Sequence, residues 1–287
     1  MKTKILAHSR FDAMLVLLAL VQFGVLVYGV ATLGAVHWGV SLAMGLSSAF
    51  LMGTNFQCIA HNFIHNPFFT SQPLNAAFGM FNSLLVGGPQ TLYRLHHLNH
   101  HRYNNDLPDP GTGTTRDLSS TFRFGKPPEE EGFLTYSLLG YFRSDFGALL
   151  TEAECRGLRH AVRREFVGVL VMVAAFGWLN WLGLMVFYLP VWLLGNIFAQ
   201  AENYVEHHGA TPGDRRTDSV SCYGRLYNLV WFNNGYHQEH HYRPQLHWTR
   251  LPEVKALLPN ETERRVARGA HWFNFGGVKA GSVRDGQ

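Results

Sequence analysis

Two long stretches of the chain carry no charge at all. From Ala13 to Ala60, and again from Phe166 to Ala201, there is no Lys, Arg, Asp or Glu. The first is 48 residues long, about 72 Å as one continuous helix. The second is 36 residues long, about 54 Å. A bilayer core is about 30 Å thick, so each stretch is long enough for two crossings. The pattern therefore predicts an all-α membrane protein with four transmembrane helices in two hairpins, spanning approximately 13–33, 38–60, 166–182 and 184–203. The first turn is expected at Gly34–Gly39 and the second at Gly177–Gly183, where Trp178 and Trp181 suit a membrane interface. Pro73 to Tyr93 is also uncharged, but Pro73, Gly87, Gly88 and Pro89 interrupt it. It is expected to be re-entrant or interfacial rather than a fifth crossing.

The remaining text is polar. Asn104–Gly132 is rich in Gly, Pro, Asp and Thr and reads as a long loop. Asp145–Arg164 reads as an amphipathic helix with a basic end. Segments 61–165 and 204–260 form the expected cap, and 261–287 a peripheral tail, all within one membrane-embedded domain, 1–287. Charged residues make up only 15% of the chain against 47% hydrophobic, whereas soluble domains carry about 25% charged. That balance excludes a disordered chain and gives no reason to expect a nucleic-acid partner. All 24 Lys and Arg lie outside the two bare stretches, which puts the cap and both termini on the cytoplasmic side. The first apolar run is too long for a secretory signal and lacks a clear cleavage site. Cys58, Cys155 and Cys222 are far apart, which excludes a disulfide scaffold or a cysteine-built zinc module.

The chemistry-bearing residues are the histidines, sixteen in all. Positions i, i+3 and i+4 share one face of a helix. His61 and His65 are spaced by four. His97, His100 and His101 follow the three-and-four pattern, as do His237, His240 and His241. Asn203 and His207 are again four apart, just beyond the fourth span. Neutral imidazole suits iron, zinc, copper or nickel. One tetrahedral zinc takes four ligands, so nine aligned histidines point to two metal ions. The scattered His8, His37, His160, His247 and His271 read instead as ordinary hydrogen-bonded residues. Glu202, Glu206 and Glu239 are candidates for orienting ligand rings, or are solvated carboxylates. Arg94, Arg102 and Arg243 mark the membrane surface or hold an acidic group.

The boxes His61-x3-His65, His97-x2-His100-His101 and His237-x2-His240-His241 resemble those of the integral-membrane fatty acid desaturase and hydroxylase superfamily. The resemblance runs from about His61 to about Pro252. It implies a four-helix membrane domain whose cytoplasmic helical cap carries two irons, held mainly by histidine. It implies His61, His65, His97, His100, His101, His207, His237, His240 and His241 as ligands, with Asn203 reaching iron through water. Two registers stay open, His96 in place of His97 and His208 in place of His207. The implied chemistry is O2-dependent oxidation of an unactivated C–H bond of a lipid chain. A fatty acyl desaturase is the first expectation, and a lipid or alkane hydroxylase or ketolase the alternative.

There is no G-x-G-x-x-G dinucleotide fingerprint and no His-Pro-Gly-Gly haem motif. Electrons are therefore expected from a separate ferredoxin or small cytochrome with its reductase. A histidine-rich metal transporter is the reading from a different class. Its ionisable ligands belong inside the spans, whereas here the histidine clusters fall beyond the ends of the bare stretches.

Overall fold

A computed structural model describes residues 4–126 and 128–274. It is helical, with one two-residue pair of parallel strands, β1 (Ser221–Cys222) and β2 (Val266–Ala267). The chain divides into two compact units, each assembled from separate stretches. Met1–Leu98 and Asp145–Ala199 form one, Asn99–Ser144 and Gln200–Gln287 the other.

The first unit holds the apolar helices. α1 (Asp12–Thr32) packs on α2 (Trp38–Thr54), on α4 (Gln72–Val86) and on α8 (Arg159–Leu179). A three-residue turn of helix, α9 (Trp181–Gly183), and a π-helical stretch, Leu184–Tyr188, lead into α10 (Leu189–His207). Two helical runs, Asp12–Thr32 and Trp181–His207, are long and apolar enough to cross a membrane. α2 and α8 expose comparable apolar faces: Leu42, Leu46 and Phe50 on one, Phe166, Leu170 and Val171 on the other. Gly183 sits where α9 meets α1. A side chain there would strike the Val30 carbonyl, so only a bare backbone allows the approach.

Two expectations are corrected here, and a third is given its form. Asp145–Arg164 is two helices, not one: α7 (Phe146–Cys155) ends before Gly157, whose φ of 68° is a left-handed turn, and α8 starts at Arg159. Residues 73–93, expected as a re-entrant or interfacial segment, are regular helix. They hold α4 and the first turn of α5 (Gln90–Tyr103), separated at Gly87, which also takes a left-handed φ of 68°. α4 has 15 residues, about 22 Å of rise and too short for a crossing. The tail is not peripheral as far as it is described. Arg264, Ala270 and His271 are buried, and β2 pairs with β1. Residues 275–287 lie outside the described part.

A chain of amides joins these helices. Asn55 Nδ2 donates to Gln22 Oε1 at 2.7 Å and to Asn82 Oδ1 at 2.8 Å. Asn82 Nδ2 in turn donates to Gln90 Oε1 at 2.9 Å. All four side chains are buried, where an unmade hydrogen bond is costly and a made one fixes helix register. Replacing Asn82 by Leu removes the middle of this chain. We expect a loss of about 1–3 kcal/mol of stability, seen as a lower Tm in detergent. An unchanged Tm would show that the ladder contributes nothing.

Candidate metal centre

The helix of the first box is not a plain continuation of α2. Asn55–Ala60 winds as a π-helix before α3 (His61–His65). The wider turn changes which face the following residues present, a device found often at functional sites. His61 Nδ1 lies 3.1 Å from the Gln57 carbonyl. A carbonyl only accepts, so Nδ1 carries the proton and Nε2 the lone pair. Within the same unit, α5 brings His97 to this pair. His65 Nε2 is 2.8 Å from His97 Nε2, and the His61 and His97 ring centroids are 4.5 Å apart. His96 is half-buried and is not one of the grouped donors.

The second unit gathers the remaining imidazoles. His100, His207, His237 and His241 are all buried, with donor atoms within 4.8 Å of one another. They come from the end of α5, the end of α10 and the short helix α12 (His237–Tyr242). His207 Nε2 stands 3.1 Å from His237 Nε2, and His101 Nε2 stands 3.0 Å from His240 Nε2. Of the neighbouring pair, His207 joins this group. His208 turns away to stack on Tyr204 and to pair with Glu130.

Several features fit a bound transition ion. Imidazole–metal bonds are about 2.0–2.1 Å long, so two nitrogens at right angles on one ion stand about 3 Å apart. The three Nε2–Nε2 separations match that span. His241 Nε2 is buried with no hydrogen-bond partner. Burial, reinforced by the surrounding histidines, pushes the His241 pKa well below its ordinary value. A neutral ring with its lone pair available is the form that binds metal.

Asp117 escaped the sequence reading, since nothing in its polar loop marks it. Its Oδ2 is 2.8 Å from His100 Nδ1 and accepts from the Asn105 N–H at 2.7 Å. Its Oδ1 accepts from the Ser119 N–H and hydroxyl, both at 2.8 Å. Burial alone would raise the pKa of this carboxyl. The His100 ring and the donated hydrogen bonds outweigh it and hold the group well below the usual carboxylate range. The carboxylate so held orients His100 with Nε2 as its lone-pair nitrogen.

The other candidates divide. Asn203 Nδ2 donates to the Tyr136 hydroxyl at 2.6 Å, and that hydroxyl donates to the Ser119 carbonyl at 2.7 Å. Asn203 thus braces the Asp117 loop. Glu206 Oε1 is 3.5 Å from His237 Nδ1. Glu239 instead accepts from Ser221 Oγ and Tyr223 OH, which ties α12 to the segment around β1. Glu202 accepts from Tyr227 OH at 2.6 Å. Arg102 and Arg243 lie over Tyr103 and Tyr242. His271, read from sequence as an ordinary residue, is fully buried beside Glu202 and Glu206.

The fatty acid desaturase family model matches residues 33–272. The chain belongs to this family. Curated relatives include a sphingolipid delta(4)-desaturase of Schizosaccharomyces pombe, 29% identical over 77% of this chain and 62% of its own length. Another, of Oryza sativa, is 26% identical over 75% of this chain and 64% of its own. A sphingolipid delta(4)-desaturase/C4-monooxygenase of Bos taurus is 31% identical over 69% and 60%. The chain thus spans under two thirds of the length of these relatives.

Asp117→Asn tests the orienting carboxylate. The amide keeps the volume but offers an N–H as readily as an acceptor to His100. Supporting partners of this kind are worth about 10–100-fold in metal affinity or activity. We expect bound metal in the purified protein to fall, while helix content by circular dichroism stays. Full metal retention would remove Asp117 from the role.

Proposed function

We propose that this chain is a membrane-bound oxidoreductase that uses two irons and O2 to oxidise an unactivated C–H bond of a lipid, most often by desaturation. The observations that carry this reading are two gatherings of buried imidazoles, His61, His65 and His97 in one unit and His100, His207, His237 and His241 in the other, in a chain of this family. One iron is assigned to His100, His207, His237 and His241. The other is assigned to His61, His65 and His97, and His101 and His240, whose Nε2 atoms are 3.0 Å apart, are the remaining proposed ligands. α5 supports that grouping, because it carries His97 and His101 one turn apart on one face. The irons, when bound, supply the activation of O2 that a methylene C–H bond requires.

The relatives' printed names point the substrate towards the sphingolipid class rather than a simple fatty acyl group. Desaturation takes two hydrogens from the lipid and two electrons from a donor, and reduces O2 to two waters. Hydroxylation leaves one oxygen on the lipid. The desaturase/monooxygenase name of the Bos taurus relative makes hydroxylation the second reading. The chain's own residues would set the outcome by position. The Asp117 network holds His100, Glu206 faces His237, and the apolar helices keep the lipid chain dry. Electrons would come from a separate ferredoxin or small cytochrome.

The reading is tested by expression in a host that supplies a matching reductase, with mass spectrometry of total lipids. We expect long-chain bases lighter by two hydrogens. A gain of one oxygen selects the hydroxylase reading, and an unchanged lipid profile with iron-loaded protein rejects both. His101→Ala and His241→Ala should abolish turnover and lower bound iron, whereas His8→Ala should retain both.

Four crossings with cytoplasmic termini are the proposed topology. Bare stretches of two-span length and the apolar outward faces of α1, α2, α8 and α10 support it. Cysteines introduced at Ala35 and Asn180, after replacement of the exposed Cys155, should react with an impermeant reagent from outside. Labelling from the cytoplasmic side would overturn the model.

A further inference from the structure

The second unit contains another cluster, separate from the nine histidines. Glu202 and Glu206 lie one turn apart on α10, and His271 opens the 3-10 turn His271–Asn274. All three are at most 1% exposed. Their donor atoms lie within 4.8 Å of one another. His271 Nδ1 is 3.6 Å from Glu202 Oε1 and 3.7 Å from Glu206 Oε1.

Hydrogen positions follow from the partners. His271 Nε2 is 3.1 Å from the Val220 carbonyl, which only accepts, so Nε2 carries a proton. Nδ1 faces the two carboxylates. The Tyr227 hydroxyl commits its one hydrogen to Glu202 Oε1 at 2.6 Å and turns oxygen lone pairs towards Nδ1 at 3.2 Å. Asn234 Nδ2 donates to Glu206 Oε1 at 2.7 Å. Glu202 Oε2 is buried with no hydrogen-bond partner. Among the described residues no Lys or Arg pairs with either carboxylate. The site therefore gathers two carboxyl groups, a second ring nitrogen and an unmet oxygen in a buried place that no Lys or Arg among the described residues reaches. Such an arrangement is costly unless something cationic completes it.

We propose that Glu202, Glu206 and His271 form a third metal site, which takes one divalent cation of the manganese class and clamps the segment after β2 to the end of α10. Two carboxylates and one imidazole suit a harder ion than the all-histidine groups do. The clamp accounts for the burial of Ala270 and His271 at the end of the described chain. It also ties His237 to the C-terminal segment through Glu206, whose Oε1 is 3.5 Å from His237 Nδ1.

The test uses the full-length protein purified in detergent, incubated with MnCl2 and desalted, with iron and manganese counted by mass spectrometry and Mn2+ read by electron paramagnetic resonance. Glu202→Gln keeps the volume and the Tyr227 hydrogen bond but removes one charge. Wild type should retain about one equivalent of manganese that Glu202→Gln lacks, at equal iron. His241→Ala should lose iron yet keep the manganese, so failure of the iron reading is distinguishable from failure of this one. Equal manganese in wild type and Glu202→Gln overturns the proposal, because the buried groups then hold protons in place of a metal. Should Glu202→Gln not fold, wild type and His271→Ala decide: no manganese retained by wild type, or equal manganese in both, overturns the site, and manganese lost in His271→Ala upholds it.

Discussion

Everything around the histidines follows from one electrostatic constraint. Imidazoles packed ring against ring in a dry interior cannot all be charged, and a neutral ring must be told which nitrogen keeps its proton. The protein answers with acceptors placed behind the rings. The Gln57 carbonyl stands behind His61, and Asp117 behind His100. Each leaves Nε2 as the lone-pair atom, and the close Nε2–Nε2 approaches among the boxes are the consequence. A loop of irregular backbone between α5 and α6 (Phe133–Leu139) exists in large part to deliver Asp117, which it saturates with hydrogen bonds from Asn105 and Ser119.

The apolar helices obey the complementary constraint. In a water-poor bundle any polar side chain must find a protein partner. Gln22, Asn55, Asn82 and Gln90 find one another, and so link α1, the π-helical stretch, α4 and α5. Glu165 on α8 is met by the backbone N–H and hydroxyl of Thr91, which holds the first turn of α5. The helix that carries the second box is therefore anchored at its start by hydrogen bonds within the apolar unit.

The inward fold of the C-terminal segment has a similar origin. Arg264 reaches Tyr223 and Glu239, and β2 pairs with β1. These contacts brace α12, whose six residues are too few to be stable as an isolated helix. A short helix bearing three candidate ligands needs such support, and the buried carboxylates beside His271 extend the same bracing to the end of α10.

The sequence by itself determined the helical class, the two bare stretches, the turns at Gly34–Gly39 and near Asn180, and the spacing that aligns each box. These are local properties: missing charge, glycine and tryptophan at turns, and a helical period readable within a few residues. Only the tertiary structure decided which of His207 and His208 joins the group, because both lie at the end of one helix and their partners come from distant segments. The π-helical stretch before His61 was invisible because nothing in Asn55–Ala60 distinguishes a π turn from an α turn. Asp117, Ser119 and Glu206 gain meaning only from the rings they face. His271 lay far from every box, and only the return of the chain through β2 buries it between two carboxylates. Spacing along the chain reports one helix face at a time, whereas a site built from several segments is set by packing.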